Sequence, residues 1–189
     1  MQRPPRSLKS RALQLLAQRD QSRLELRTKL LRHAHAAAAE GDPRGSSDAA
    51  VAASGDRDAE AAAAASDDVE TLLDWLEANR FLCEGRFVES RVHAREARFG
   101  NLRIKGELAR HALALPEELA RGLDESEGAR AAAVRARRFA AVPHDAAERA
   151  RQSRFLLGRG FSPEVVQRLM RELARDGADA AASARGEPA

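Results

Sequence analysis

The chain has 189 residues, of which 43% are hydrophobic but only 4% aromatic, with no tyrosine; large apolar side chains supply most burial energy, so this alanine-rich composition argues against one wide core. The net charge is +3, the sequence pI is near 9.7, and the positive charge is almost all arginine, with lysine only at Lys9, Lys29 and Lys105. A lone cysteine, Cys83, excludes an intrachain disulfide and suits a reducing compartment, no run of about 18 uncharged apolar residues offers a membrane span, and the basic residues 1–10 lead into no apolar segment, so no signal peptide is expected.

Helix signals dominate. Ser7 is placed to cap a helix to about Gln18, with Leu8, Ala12, Leu15 and Leu16 on its apolar face. Ser22 and Glu25 form a capping box before a helix that carries Leu26, Leu30 and Leu31. Residues 36–66 then lose every large apolar side chain except Val51, and hold six acids against Arg44 and Arg57, a charge of −4 that leaves +7 on the rest of the chain. Such a segment buries too little to offset its ordering entropy, so it is read as a disordered acidic insertion, its alanine blocks at 36–39 and 61–65 being candidates to extend the flanking helices. An acidic segment beside a basic body would also shield it.

Helical spacing resumes at Asp67, with Val69, Leu72, Leu73 and Leu76 on one side and Trp75 beside them. Residues 86–99 form the next helix, faced by Phe87, Val88 and Val92 and stopped by Gly100. Asn101 is placed to cap a helix carrying Leu102, Ile104 and Leu108, and Pro116, Glu117 and Glu118 open another. Ser126 opens a further helix to about Phe139, and Asp145 one that ends near Gly158 and Gly160. Ser162-Pro163-Glu164 starts the last, to about Arg175, with a frayed tail after Gly177. That reading gives nine helices and no strand.

The helices repeat. Leu26-Arg27-Thr28-Lys29-Leu30-Leu31-Arg32-His33-Ala34 aligns with Ile104-Lys105-Gly106-Glu107-Leu108-Ala109-Arg110-His111-Ala112, and Gln152–Gly160 falls in the same register, setting Leu156 opposite Leu108 and Leu30. Ile104 to Gln152 is 48 residues; Leu26 to Ile104 is 78, which becomes 48 once an insertion of about 30 is removed. Pro116–Leu119 matches Pro163–Val166, and Leu123 matches Met170. Three helices per 48 residues makes small units that need their neighbours for stability. The expected fold is all-α: three tandem three-helix repeats in an elongated curved array, with repeat 1 over 1–80, repeat 2 over 81–125, repeat 3 over 126–176 and a disordered tail over 177–189.

The basic residues are the main functional signal. Arg91, Arg95 and Arg98 recur at about one helical turn, and Arg103, Lys105 and Arg110 follow on the next helix; Arg151 and Arg154 are further candidates, with Arg159 beside them. Lining one face, they would meet acidic protein surface or phosphates through salt-dependent contacts. The competing reading is a solvated face partly paired with Glu96 and Glu107, and for Arg135, Arg137 and Arg138 that reading is preferred. Trp75, Phe87, Phe99, Phe155 and Phe161 are read as inter-helix core rather than base-stacking platforms. Residues 108–123 could pass for a helix-turn-helix, but Glu117, Glu118, Asp124 and Glu125 would face phosphate, which argues against sequence-specific DNA reading. No phosphate-cradling glycine loop is present, His33 and His35 diverge on a helix, and Cys83 lacks a second cysteine or a close histidine for zinc. No enzyme, cofactor or metal site is expected.

Four segments in order resemble one family. Ala12 to Leu30 is similar to an apolar helix followed by R-x-x-S-x-x-E-L-x-x-K-L. Asn79 to Ser90 resembles a leucine and an acidic pair before R-F-A-E-S, with Cys83 standing where the first acid is usual. Gly100-Asn101-Leu102-Arg103-Ile104-Lys105-Gly106-Glu107-Leu108 resembles G-x-x-R-I-x-x-E-L, and Phe155 to Ser162 resembles F-L-x-x-R-G-F-S. These are motifs of the RecX family of RecA-recombinase modulators, and the resemblance covers nearly all the chain outside 36–66 and the tail. It implies a cytoplasmic, monomeric regulator that binds the RecA filament on single-stranded DNA along its groove, restraining recombinase, ATPase and SOS co-protease activity. The alternative is a nonspecific nucleic-acid-binding helical protein.

Overall fold

The computed structural model describes residues 7–40 and 51–183. Among these residues the chain is all-α, with eight helices and no strand: α1 (Leu8–Gln18), α2 (Arg23–Glu40), α3 (Val51–Ala78), α4 (Glu84–Glu96), α5 (Asn101–Ala109), α6 (Glu117–Arg138), α7 (Ala146–Gly158) and α8 (Pro163–Ser183). It divides into two compact units, Met1–Phe87 and Val88–Ala189, the division falling within α4.

The first unit is a three-helix bundle. Ala12 and Leu15 of α1, Leu26 and Leu30 of α2, and Val69, Leu73 and Leu76 of α3 close one core with Leu82. Each buried leucine contributes about 1.5–3 kcal/mol by leaving water. Both expected serine caps form: the Ser10 amide donates to Ser7 Oγ at 3.2 Å, and the Glu25 amide to Ser22 Oγ at 3.1 Å. Buried Gln21 braces the α1–α2 turn, its side-chain amide donating to the Leu15 carbonyl at 2.8 Å while its oxygen accepts from Lys29 Nζ at 2.9 Å.

In the second unit, Ala131 and Val134 of α6, Leu156 of α7, Phe161, and Val165, Val166, Leu169 and Met170 of α8 form the core. The 48-residue register is a packing register. Leu26, Ile104 and Gln152 are all buried, and so are Leu30, Leu108 and Leu156. The helix ends repeat as well. At Ala112 (φ 58°) and Gly160 (φ 82°) the chain enters the left-handed region, and the next amide turns back to the register leucine, Leu113 to Leu108 at 3.1 Å and Phe161 to Leu156 at 3.2 Å. Arg80 (φ 60°) ends α3 in the same way, with Phe81 N–H donating to the Leu76 carbonyl at 2.9 Å.

Several expectations need correction. Residues 36–40 and 51–66, read as a disordered insertion, are helical, so α2 and α3 are longer than their apolar faces; the rest of that insertion, 41–50, lies outside the described residues. Alanine pays no side-chain entropy and leads the helix scale, so a nucleated helix extends through it with little burial. Residues 177–183 of the expected tail continue α8, and 184–189 lie outside the described residues. The helices expected at Pro116 and Ser126 are one, α6, which runs through the expected repeat boundary at 125/126. Ser126 caps nothing: its hydroxyl donates backwards to the Gly122 carbonyl at 2.8 Å. Asn101 is the first residue of α5 rather than its cap.

Candidate functional site

Two residues of α6 one turn apart set the local geometry. The α4–α5 turn leaves amides unpaired at the start of α5 and carbonyls at the end of α4. Glu127, buried on α6, answers the first: its carboxylate accepts from the Asn101 amide at 2.9 Å, and also from the Ser162 amide at 3.2 Å and the Ser162 hydroxyl at 2.8 Å. One carboxylate thus caps the starts of both α5 and α8, where the helix dipoles are positive. Arg130 answers the second, donating to the carbonyls of Glu96 at 3.1 Å, Phe99 at 2.9 Å and Leu123 at 2.9 Å, and to Asn101 Oδ1. Burial lowers the pKa of its guanidinium, an effect opposed by the nearby charges of Glu127, Glu96 and Asp124.

This clasp presses the loop Arg159–Ser162 against the start of α5. The Gly100 amide donates to the Arg159 carbonyl and the Leu102 amide to the Gly160 carbonyl, both at 3.0 Å. The approach leaves no room for a side chain: a Cβ on Gly100 would lie 2.2 Å from the Phe161 backbone, and one on Gly160 would lie 2.5 Å from Arg103 Cβ. The two glycine-bearing motifs noted in the sequence, at 100–108 and 155–162, are therefore two sides of one contact.

Above the clasp runs a ladder of arginines and phenylalanines. The guanidinium carbons of Arg103, Arg159 and Arg95 lie 4.3, 5.6 and 5.8 Å from the Phe99 ring centre. Arg159 also covers Phe155 at 5.0 Å. Phe155 meets Phe139 edge to face, with ring centres 5.3 Å apart, and Arg138 and Arg151 each sit 5.4 Å from Phe139. Among the described residues one carboxylate answers these five cations: Glu107 receives Arg95 at 3.0 Å and Arg103 at 3.8 Å. Each cation–π contact is worth about 0.5–1 kcal/mol on an exposed face. Their larger effect is to fix long side chains while leaving their charge in excess.

Of the residues expected at a partner site, the structure brings Arg95, Arg103 and Arg151 into this ladder. Lys105 pairs with Asp124 at 3.6 Å, and Arg91 is half-buried with partners of its own. Arg98, Arg110 and Arg154 are exposed, and their side chains meet no acid or ring among the described residues. Arg138, expected as plain solvated surface, belongs to the ladder, and Arg159 joins it with Arg151. Arg135 is buried and structural, donating to Gln152 Oε1 at 2.7 Å. Of the aromatics read as core, Phe87 and Phe161 are buried, whereas Phe99 and Phe155 are half-buried under arginines and Trp75 is 36% exposed. Phe99 and Phe155 stand one position before their repeat's glycine or three before it, a placement that packing periodicity alone does not separate from core.

No cluster of histidine, cysteine and acidic side chains that could hold a metal ion occurs among the described residues, and no helix there is long and apolar enough to cross a membrane. The family description "RecX, third three-helix domain" matches residues 124–170, from within α6 into α8. Proteins named "Regulatory protein RecX" are similar over most of the chain. That of Ralstonia nicotianae is 42% identical over 189 aligned residues, covering 98% of this chain and 97% of the relative. That of Herbaspirillum seropedicae is 43% identical over 169, covering 88% and 91%. That of Neisseria meningitidis serogroup B is 26% identical over 178, covering 93% and 96%.

Proposed function

Because the chain belongs to the RecX family of regulatory proteins, we propose that it binds the RecA nucleoprotein filament on single-stranded DNA and restrains recombinase, ATPase and SOS co-protease activity. The observation that carries this reading is the ladder of Arg95, Arg103, Arg138, Arg151 and Arg159 on Phe99, Phe139 and Phe155, five cations that meet Glu107 alone among the carboxylates of the described residues. A face of this kind recognises anionic surface, whether carboxylates of a protein filament or phosphates of its bound strand. Side chains already fixed on rings lose little further freedom on binding, and charge in excess speeds encounter with an anionic partner. Regulation then follows from occupancy of the filament groove. It needs no cofactor and no catalytic group, and it is consistent with a monomer acting in the cytoplasm.

Co-sedimentation with RecA filaments preassembled on single-stranded DNA tests this. The wild-type chain is expected to pellet with filaments at concentrations where bare DNA carries little of it. The triple variant Phe99→Leu, Arg103→Ala, Arg159→Ala should bind at least tenfold more weakly. Retention of the variant at wild-type level would overturn the assignment of the face, and failure of the wild type to pellet would overturn the reading as a whole.

A further inference from the structure

The first unit carries a second concentration of positive charge that the proposed filament face does not use. Helix α2 bears two stripes of cations with opposite fates. On the α3 side, Arg23 meets Glu70 at 2.7 Å, Asp74 at 2.8 Å and Glu77 at 2.8 Å, and Arg27 meets Glu70. There, two cations face three acids, and the Glu70 carboxyl is held below its usual range by the hydrogen bonds from Arg27 and Arg23. That stripe is neutralised inside the fold.

On the α1 side, the cations are tethered mostly to neutral groups. Arg11 donates to Gln14 Oε1 at 3.1 Å, and Arg32 to the Thr28 carbonyl at 3.4 Å. Neither meets a carboxylate among the described residues. Lys29 is held by Gln21 and Glu25, both at 2.9 Å, but Glu25 also takes Arg19, so one acid serves two cations. These side chains converge on an open groove of about 380 Å³ lined by Arg11, Leu15, Lys29, Arg32 and His33, with no acid in its lining among the described residues.

We propose that this groove between α1 and α2 is a second anion site that takes the phosphodiester backbone of single-stranded nucleic acid. Cations held in place by neutral tethers keep their full charge for a ligand, and burying them in a peptide contact would leave them to be matched one by one. A peptide also needs an apolar anchor in a pocket, and the only apolar lining residue, Leu15, is already 7% exposed and committed to the core. A repeating phosphate asks for what the groove offers: several fixed positive charges and little else. The site stands on its own residues and does not rest on the filament reading.

The test is fluorescence anisotropy of the full chain with a labelled oligothymidylate, measured over a series of salt concentrations. To silence the other face, every protein in the series carries Arg103→Ala and Arg159→Ala. In that background the oligonucleotide should still bind, with affinity falling as salt rises. Adding Arg11→Gln and Arg32→Gln should make the slope of log affinity on log salt less negative by about 1.4, roughly 0.7 for each phosphate released. Adding Arg11→Lys and Arg32→Lys instead should keep the slope, a rescue that follows charge rather than folding. Polyglutamate at equal charge should compete poorly. An unchanged slope in the glutamine variant, equal loss in the lysine variant, equal competition by polyglutamate, or no binding in the silenced background would each overturn the proposal.

Discussion

Removing the Glu127 carboxylate tests the clasp that orders the second unit. Glu127→Ala deletes three hydrogen bonds, from the Asn101 amide at 2.9 Å, the Ser162 amide at 3.2 Å and the Ser162 hydroxyl at 2.8 Å. Hydrogen bonds to a charged group are worth about 1.5–3 kcal/mol each, but they are not additive when they share an acceptor. Asn101 is buried, so its orphaned amide finds no water, and Arg130 loses a neighbouring charge. Together these place the cost at about 3–5 kcal/mol, the range for breaking a buried charged network. For a chain of this size that is a fall of roughly 10 °C in Tm. Glu127→Gln keeps one acceptor oxygen and should cost about half as much. Urea unfolding gives the magnitude, and amide hydrogen exchange gives the place: protection should fall first at the starts of α5 and α8, while α1–α3 are unaffected. A loss below about 1 kcal/mol, or lost protection spread evenly through both units, would refute the reasoning.

The repeated left-handed turn separates two alanine–glycine exchanges by sign. Ala112→Gly should stabilise by about 0.5–1 kcal/mol in thermal melting, since it relieves an exposed left-handed alanine. Gly160→Ala, with φ 82° and a Cβ 2.5 Å from Arg103, should cost about 3 kcal/mol or more and weaken partner binding by displacing Arg103. Cys83 stands immediately before α4, where an acid is usual in the family pattern; a thiol is a poor acceptor for orphan amides, so Cys83→Asp should raise stability by about 1 kcal/mol in urea titration. Burial would raise the Glu25 carboxyl, but hydrogen bonds from Arg19 and Lys29 outweigh it and hold it at about 2. A depressed carboxyl stabilises the fold above its unfolded value and loses that contribution as pH falls through the folded one. Acid titration of Glu25→Gln against wild type should therefore show a gap of about 2 kcal/mol at neutral pH that closes between about pH 4.5 and 2.

Much of the fold was legible because its signals are local. Ser7, Ser22, Asp145 and Ser162 announce helix starts within three or four residues, and the 48-residue register matched leucines that prove buried at every copy. What escaped was long-range or contextual. The cap of α5 comes from Glu127, 26 residues away, and no local pattern marks it. Ser126 reads as a start signal, yet inside α6 its hydroxyl is satisfied by Gly122 and the helix continues. The alanine-rich stretches lack the apolar face that marks a buried helix, yet helix extension depends on propensity once a packed segment has nucleated it. At the candidate site, arginine spacing on α4 and α5 located Arg95 and Arg103. The stacking of Arg159 on Phe99 appears only when the Arg159–Ser162 loop meets the start of α5, because the contact joins motifs some 55 residues apart in the chain, as Phe99 and Arg159 are roughly 60.

The most direct measurement is DNA-dependent ATP hydrolysis by RecA preassembled on single-stranded DNA, with the chain titrated from well below one copy per protomer. Wild type should inhibit at substoichiometric amounts, and the variant Arg95→Ala, Arg103→Ala, Arg159→Ala should need at least tenfold more protein for the same effect. Undiminished inhibition by the variant would show that the arginine–phenylalanine face is not where the filament is met. An absence of inhibition by the wild type, at concentrations where it binds DNA alone, would contradict filament regulation itself.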